Sequence, residues 1–243
     1  RVNYAEVGND AAPLSLINTY TRSSNFQGQP IYSLPNTNLN PNLKPERTNS
    51  FEVGLETSVL DNRLGLDVTY YKTQSVDQIV SGAVSSASNV TNAYVNGGTI
   101  NNEGFEVQLT GTPIKTQDFS WNITVNWSNN KSTVESLPNG LENLQLASFQ
   151  GGVTSNATPG EPYGALKGTD YVYTNGQPTV DQATGRYMIS STSDKIIGNI
   201  NPDWIGGIRN KFNYKNMSLG FLIDSQHGGD IFSLDMYYGL ATG

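Results

Sequence analysis

The sequence predicts an all-β fold built as an antiparallel meander, and three observations carry that expectation. Apolar and polar residues alternate with period two in one stretch after another. Gly, Pro, Asn and Asp gather between those stretches. The connections also alternate in length, long and then short, along the chain.

Taken in order, Val2 to Val7 reads as the end of a strand, and Gly8 to Arg47 as a long loop broken by Pro13, Pro30, Pro35, Pro41 and Pro45. The hairpin after it is the clearest unit. Phe51, Val53, Leu55 and Val59 share one face, opposite Glu52, Gly54, Glu56 and Ser58. Past Asp61 and Asn62 the alternation resumes, with Leu64, Leu66, Val68 and Tyr70 against Gly65, Asp67, Thr69 and Tyr71. Setting Val59 opposite Leu64 pairs Leu55 with Val68 and Val53 with Tyr70, and a slip of one residue would reverse every side chain. The same register sets Glu56 against Asp67, a like-charge contact that something outside the hairpin should neutralise.

Thr73 to Asn102 reads as a second long polar segment, and Phe105, Val107 and Leu109 as a strand after it. A turn around Pro113 to Asp118 leads to Phe119, Trp121, Ile123, Val125 and Trp127, alternating with Ser120, Asn122, Thr124, Asn126 and Ser128. That length suits the roughly 9 to 11 residues with which a tilted strand crosses a bilayer. Asn129 to Asp203 keeps no period. It exceeds the roughly 12 to 15 residues usual for a loop in a compact domain, and so is read as functional. The last hairpin has Phe212 and Tyr214, turns at Lys215 and Asn216, and carries Met217, Leu219, Phe221 and Ile223 on one face; Asn210 interrupts the apolar side of its first strand.

In a meander, alternate connections lie at the same end, so every short turn falls at one end and every long loop at the other. This asymmetry is that of an outer-membrane barrel. Aromatics near strand ends agree with interfacial girdles, Tyr70, Tyr71 and Trp127 toward the long loops and Phe119, Trp121 and Tyr214 toward the short turns. Periodicity alone leaves a soluble β-sandwich open, a carbohydrate-binding or adhesin module with its apolar faces packed together. About seven strands cannot close a bacterial barrel, which has an even number, at least roughly eight.

The 243 residues suffice for one all-β unit or two small domains. A formal net charge of -7 argues against nucleic acid as a partner, because phosphate contacts need clustered Lys and Arg. With no Cys, disulfides, thiolate metal sites and a cysteine nucleophile are excluded. No apolar run approaches the roughly 20 residues of a spanning helix. The start, RVNYAEVGND, is neither a Met nor a signal peptide, and the chain is expected to be an excerpt of a longer polypeptide.

The segment NPNLKPERTNSFEVGLE resembles the SusC/RagA-type TonB-dependent outer-membrane transporters. The resemblance continues through RLGLDVTYYKT, NNEGFEVQL, FSWNITVNWSNNKS, NPDWIGGIRNKFNYKNMSLGFLID and GGDIF, in the family's order. It implies the later part of a barrel of about 22 strands. Residues 1–243 would then form a fragment of one such barrel domain, with the plug, the earlier strands and the closing strand outside it. It further implies import of oligosaccharides or peptides, a SusD-like lipoprotein capping the extracellular face, energy from TonB through the plug, and residence in outer-membrane lipid. Phe51, Val107, Ile123 and Leu219 should meet lipid, while Glu52, Glu56, Asp67, Glu106, Asn122 and Asn126 should line the lumen. On this orientation, Val107→Lys should impair insertion by about 2 to 4 kcal/mol, the mid-bilayer cost of a lysine, and Gln108→Lys should be tolerated.

No residue is assigned to catalysis and no cofactor is expected. Glu56 and Asp67 alone approach a catalytic spacing, that of a retaining glycosidase, with carboxylates about 5 Å apart. A raised pKa on one of them, or a Lys or Arg from the plug or a neighbouring strand, explains the pair without chemistry. His227, the single histidine, lies at a strand-to-loop junction and reads as a surface residue. Many SusC-like proteins carry an Asp-rich loop before the N-P-D-W element. Here only Asp181, Gly185 and Asp194 remain, too dispersed for calcium, and no metal is expected. Tyr163, Tyr171, Tyr173 and Trp204 are the loop aromatics suited to contact a ligand or the cap.

Overall fold

The computed structural model of the chain describes residues 1–83, 87 and 89–242. Part of the expected Thr73–Asn102 loop, residues 84–86 and 88, lies outside them. Seven long strands form one antiparallel sheet in sequence order: β1 (Val2–Asn9), β2 (Glu46–Val59), β3 (Leu64–Val76), β4 (Thr99–Lys115), β5 (Phe119–Ser136), β6 (Pro202–Tyr214) and β7 (Met217–Gly228). The meander and the number of strands agree with the sequence.

The hairpin register does so residue by residue, with Val59 opposite Leu64, Leu55 opposite Val68, Val53 opposite Tyr70 and Glu56 opposite Asp67. Its turn places Leu60, Asp61 and Asn62 in the left-handed region, which Asp and Asn tolerate best of the non-glycine residues. The three short turns lie at one end and are bonded to their neighbours. Thr112 N donates to Arg63 O at 2.7 Å, and Lys215 N to Asp118 O at 2.8 Å.

At the other end the strands outrun the sequence-based expectation. β5 has 18 residues and β4 has 17, so both continue far past their apolar alternation. A strand of 18 residues rises about 60 Å, well over the span of an apolar band about 25 Å tall. Beyond the band both faces are rich in Asn, Ser and Thr, and period two loses its contrast while the backbone ladder persists.

The segment expected to be a structureless loop also folds. Leu144–Ser148, Thr154–Ala157, Ala165–Gly168 and Lys195–Asn199 form a four-stranded antiparallel sheet. The buried core lies here and not beneath the large sheet: Val134, at the top of β5, packs with Leu144 and Ala157 against Val80 and Leu137. Asn143 ties this unit together, donating to Asn156 at 3.0 Å and accepting from Thr158 and Lys167. Glu46, in the N-P-N-L-K-P-E element, accepts from Ile79 N at 2.8 Å and from Asn9 at 3.0 Å, pinning the second loop to the tops of β1 and β2. A short helix, α1 (Leu234–Thr242), closes the described residues. Ser233 precedes it and accepts from Met236 N, the signature of an N-cap.

Candidate functional site

The two faces of the large sheet differ in kind. Side chains in directly opposed positions share a face, so the pairing assembles rows across the sheet. One face carries Leu55, Val68, Val107 and Trp127 in one row and Leu66, Leu109, Val125, Ile208 and Ile223 in the next. No second sheet covers it among the described residues: Leu55 and Leu219 are 62% and 64% exposed. The β-sandwich alternative required such a cover.

The edges of this apolar band run obliquely. Val59 shares a row with Leu64, Gly111, Ile123, Asn210 and Phe221, yet β7 stays apolar for two further outward positions, Leu219 and Met217. At the other edge Phe51 shares a row with Lys72, Glu103 and Lys131, and the last outward hydrophobe of β7, Ile223, lies three rows lower. Rows are about 6.6 Å apart and strands about 4.8 Å, so the band crosses the strands at about 30 to 40° from the perpendicular. A flat band cut by tilted strands has this geometry, since barrel strands tilt by about 35 to 45°.

Aromatic rings mark both edges. Tyr70 and Phe105 lie 5.0 Å apart at one, and Trp121, Phe119 and Phe212 stack at the other. Asn210 fits this surface because the Trp121 indole donates to its Oδ1 at 3.0 Å, leaving it 8% exposed beneath the ring. Tyr71 does not belong to the girdle. It points to the polar face, lies over Gly104 where a Cβ would meet its ring, and donates to Asn130 at 3.0 Å.

The opposite, polar face holds the residues expected in the lumen. Glu56 and Asp67 are directly opposed. Asp67, Glu106 and Asn126 line one groove with Arg1; Glu52 and Glu106 line a second with Arg1, Thr69 and Tyr71. Asn122 stands apart, nearer the short turns, accepting from Thr112 at 3.0 Å and opposed to Lys211. The predicted neutralising cation is Arg1, from the neighbouring strand's end. Its Nη2 lies 3.0 Å from Asp67 Oδ1 and 2.6 Å from Thr69 Oγ1. Gly54 makes room for it, since a Cβ there would meet the Arg1 stem. Both partners of this ion pair are partly exposed, so Asp67→Asn should cost no more than about 1 kcal/mol in unfolding experiments. A larger loss would mean that Asp67 supports more than Arg1.

The loop aromatics do not converge. Tyr163, Tyr171 and Tyr173 are well exposed in the excursion between β5 and β6, and Tyr171 meets the ring of Tyr187 edge-on at 5.5 Å. Trp204 is not a loop residue. It lies in β6 opposite His227, the rings parallel at 5.6 Å, and His227 Nδ1 is 3.4 Å from Asp203. The run of Asn, Pro and Asp before it hid the strand's start.

Asp181 and Asp194 are engaged locally. Asp181 accepts from Ala183 N and Thr184 Oγ1, both at 2.9 Å, and these bonds hold its carboxyl below the ordinary value of 3.8. Thr192 Oγ1, and then Lys195, does the same for Asp194. The stabilisation of each turn should therefore be complete above that ordinary value and fade as pH falls through the lowered one. Carboxyl titration by NMR should give midpoints below 3.8 for both, and midpoints at or above it would contradict these bonds.

An uncovered, oblique apolar band backed by a polar face defines a wall of a transmembrane β-barrel. The profile of the family described as TonB dependent receptor-like, beta-barrel matches residues 1–194, and the chain belongs to that family. Its strands are those of an outer-membrane protein. TonB-dependent receptor P3 of Formosa agariphila is 30% identical over 214 residues, covering 79% of this chain and 21% of the relative. TonB-dependent receptor SusC of Bacteroides thetaiotaomicron is 28% identical over 232 residues, 88% of this chain and 23% of the relative. The chain thus spans about a fifth of the length of these curated relatives. A solved structure of the RagAB peptide transporter shares the fold, with a TM-score of 0.77 over 92% of this chain and 26% of that one, at 22% identity.

Proposed function

We propose that the chain is one wall segment, residues 1–243, of an energy-coupled outer-membrane importer with a barrel of about 22 strands. The plug, the remaining strands and the closing strand belong to the rest of the polypeptide. The polar face, with Glu52, Glu56, Asp67, Glu106, Asn122 and Asn126, lines the lumen. The extracellular excursion presents Tyr163, Tyr171 and Tyr173 to a ligand or to a SusD-like lipoprotein cap, and TonB drives transport through the plug. The cargo class is oligosaccharide or peptide, by likeness to a relative named SusC and to a structure described as a peptide transporter. The observation that carries this reading is the oblique apolar band, since such a face needs lipid and the face behind it is polar.

The chain's family is one of receptors, and we assign no enzymatic role. Glu56→Gln should leave any glycan in contact with the protein unhydrolysed, as before, because the Asp67 it faces is already committed to Arg1. The decisive experiment is uptake by cells carrying the full-length protein, supplied with labelled oligosaccharides or peptides with and without TonB. TonB-dependent accumulation of either class is expected. Accumulation of neither would overturn the importer.

A further inference from the structure

Lys72, Glu103 and Lys131 occupy one row across β3, β4 and β5, on the same outward face as the apolar band. All three side chains are exposed, and among the described residues no carboxylate lies within 4.0 Å of either ammonium group. Lys72 stands one outward position beyond Tyr70, and Lys131 two beyond Trp127, so both sit just past the edge of the band on the long-loop side. That side faces the outer leaflet, and the layer directly beyond the hydrocarbon is the headgroup layer.

We infer that this outward row is a binding site for the phosphorylated headgroup of an outer-leaflet glycolipid, with Lys72 and Lys131 holding its phosphates. A molecule that fits both the apolar row below and the cationic row above is an amphiphile with an anionic head. The two lysines are two strand spacings apart, about 10 Å, and their long stems snorkel away from the hydrocarbon, so they grip one phosphate together or two separately. Glu103 between them accepts from hydroxyl groups, which a sugar headgroup supplies and a bare phosphate does not. The site rests on the lipid-facing orientation of the apolar band.

The test uses the full-length protein in phosphatidylcholine nanodiscs containing a minor fraction of bisphosphorylated lipid A, dephosphorylated lipid A or phosphatidylglycerol, with bound lipid counted by native mass spectrometry. Each lysine near an anionic surface is worth about fivefold, so removing the phosphates should weaken enrichment about 25-fold. The double variant Lys72→Gln, Lys131→Gln should show the same loss. Lys215→Gln, at the short-turn end, should bind as the parent does. Equal enrichment of both lipid A forms by the parent protein would overturn the site. Phosphatidylglycerol enriched as well as lipid A would overturn its assignment to a glycolipid. Should the double variant fail to fold, the parent's own preference and the charge-retaining Lys72→Arg, Lys131→Arg pair still decide. Failure of the orientation itself would appear separately, as normal insertion of Leu109→Lys.

Discussion

Leu109→Lys should sharply lower the amount of folded barrel in the outer membrane, Val107→Lys should lower it less, and Gln108→Lys should leave it unchanged. The outward positions of β4 run Ile114, Gly111, Leu109, Val107 and Phe105, so Leu109 is at the middle of the band and Val107 one position from its edge. At mid-bilayer an outward lysine costs about 2 to 4 kcal/mol, falling to about 0 to 1 near an interface. The sequence alone places Val107 at full cost. The register instead gives its lysine a short path to the headgroup layer, along which the stem can snorkel. Gln108 points the other way, between Asp67 and Asn126, where an ammonium gains a carboxylate neighbour. Heat-modifiable mobility of outer-membrane fractions measures the folded barrel directly. Equal yields for the three variants would reverse or abolish the assignment of faces.

Trp121→Phe should destabilise the barrel by about 1 to 3 kcal/mol, the cost of leaving a buried acceptor without its donor. The replacement keeps a ring against Phe212, now 5.7 Å from the indole, but removes the hydrogen bond to Asn210. Asn210→Leu should then rescue Trp121→Phe, because an apolar pair has no bond to lose on a lipid-facing surface. Denaturant unfolding of the parent, both single variants and the double variant gives the coupling. If the double variant loses the sum of the single losses, the Trp121 and Asn210 bond contributes nothing.

Asn210 illustrates what a sequence can show and what it cannot. Alternation identifies it as the wrong kind of residue on its face, and only the pairing of β5 with β6 brings the Trp121 indole within 3.0 Å of it. Glu56 and Asp67 behave alike. Their clash follows from the hairpin register, whereas the relieving Arg1 lies 66 residues from Asp67 in sequence. Tyr71, an aromatic near a strand end, reads as a girdle residue until its parity is followed to the polar face. Trp204 reads as a loop residue because turn-forming residues precede it, yet it lies within a strand.

The four-stranded sheet between β5 and β6 leaves the least trace in the sequence. Its core joins Val134, Leu144 and Ala157, single residues from separate strands, each short enough to show no period of its own. By itself the sequence determined the meander, the hairpin register, the separation of turns from loops and the composition of each face, because all of these depend on contacts between neighbours along the chain or on period two. The tertiary structure alone decided how far the strands rise above the band, how steeply the band crosses them, which cation meets Asp67 and how the long loop folds. Those depend on groups distant in sequence being brought together, and no local pattern records that.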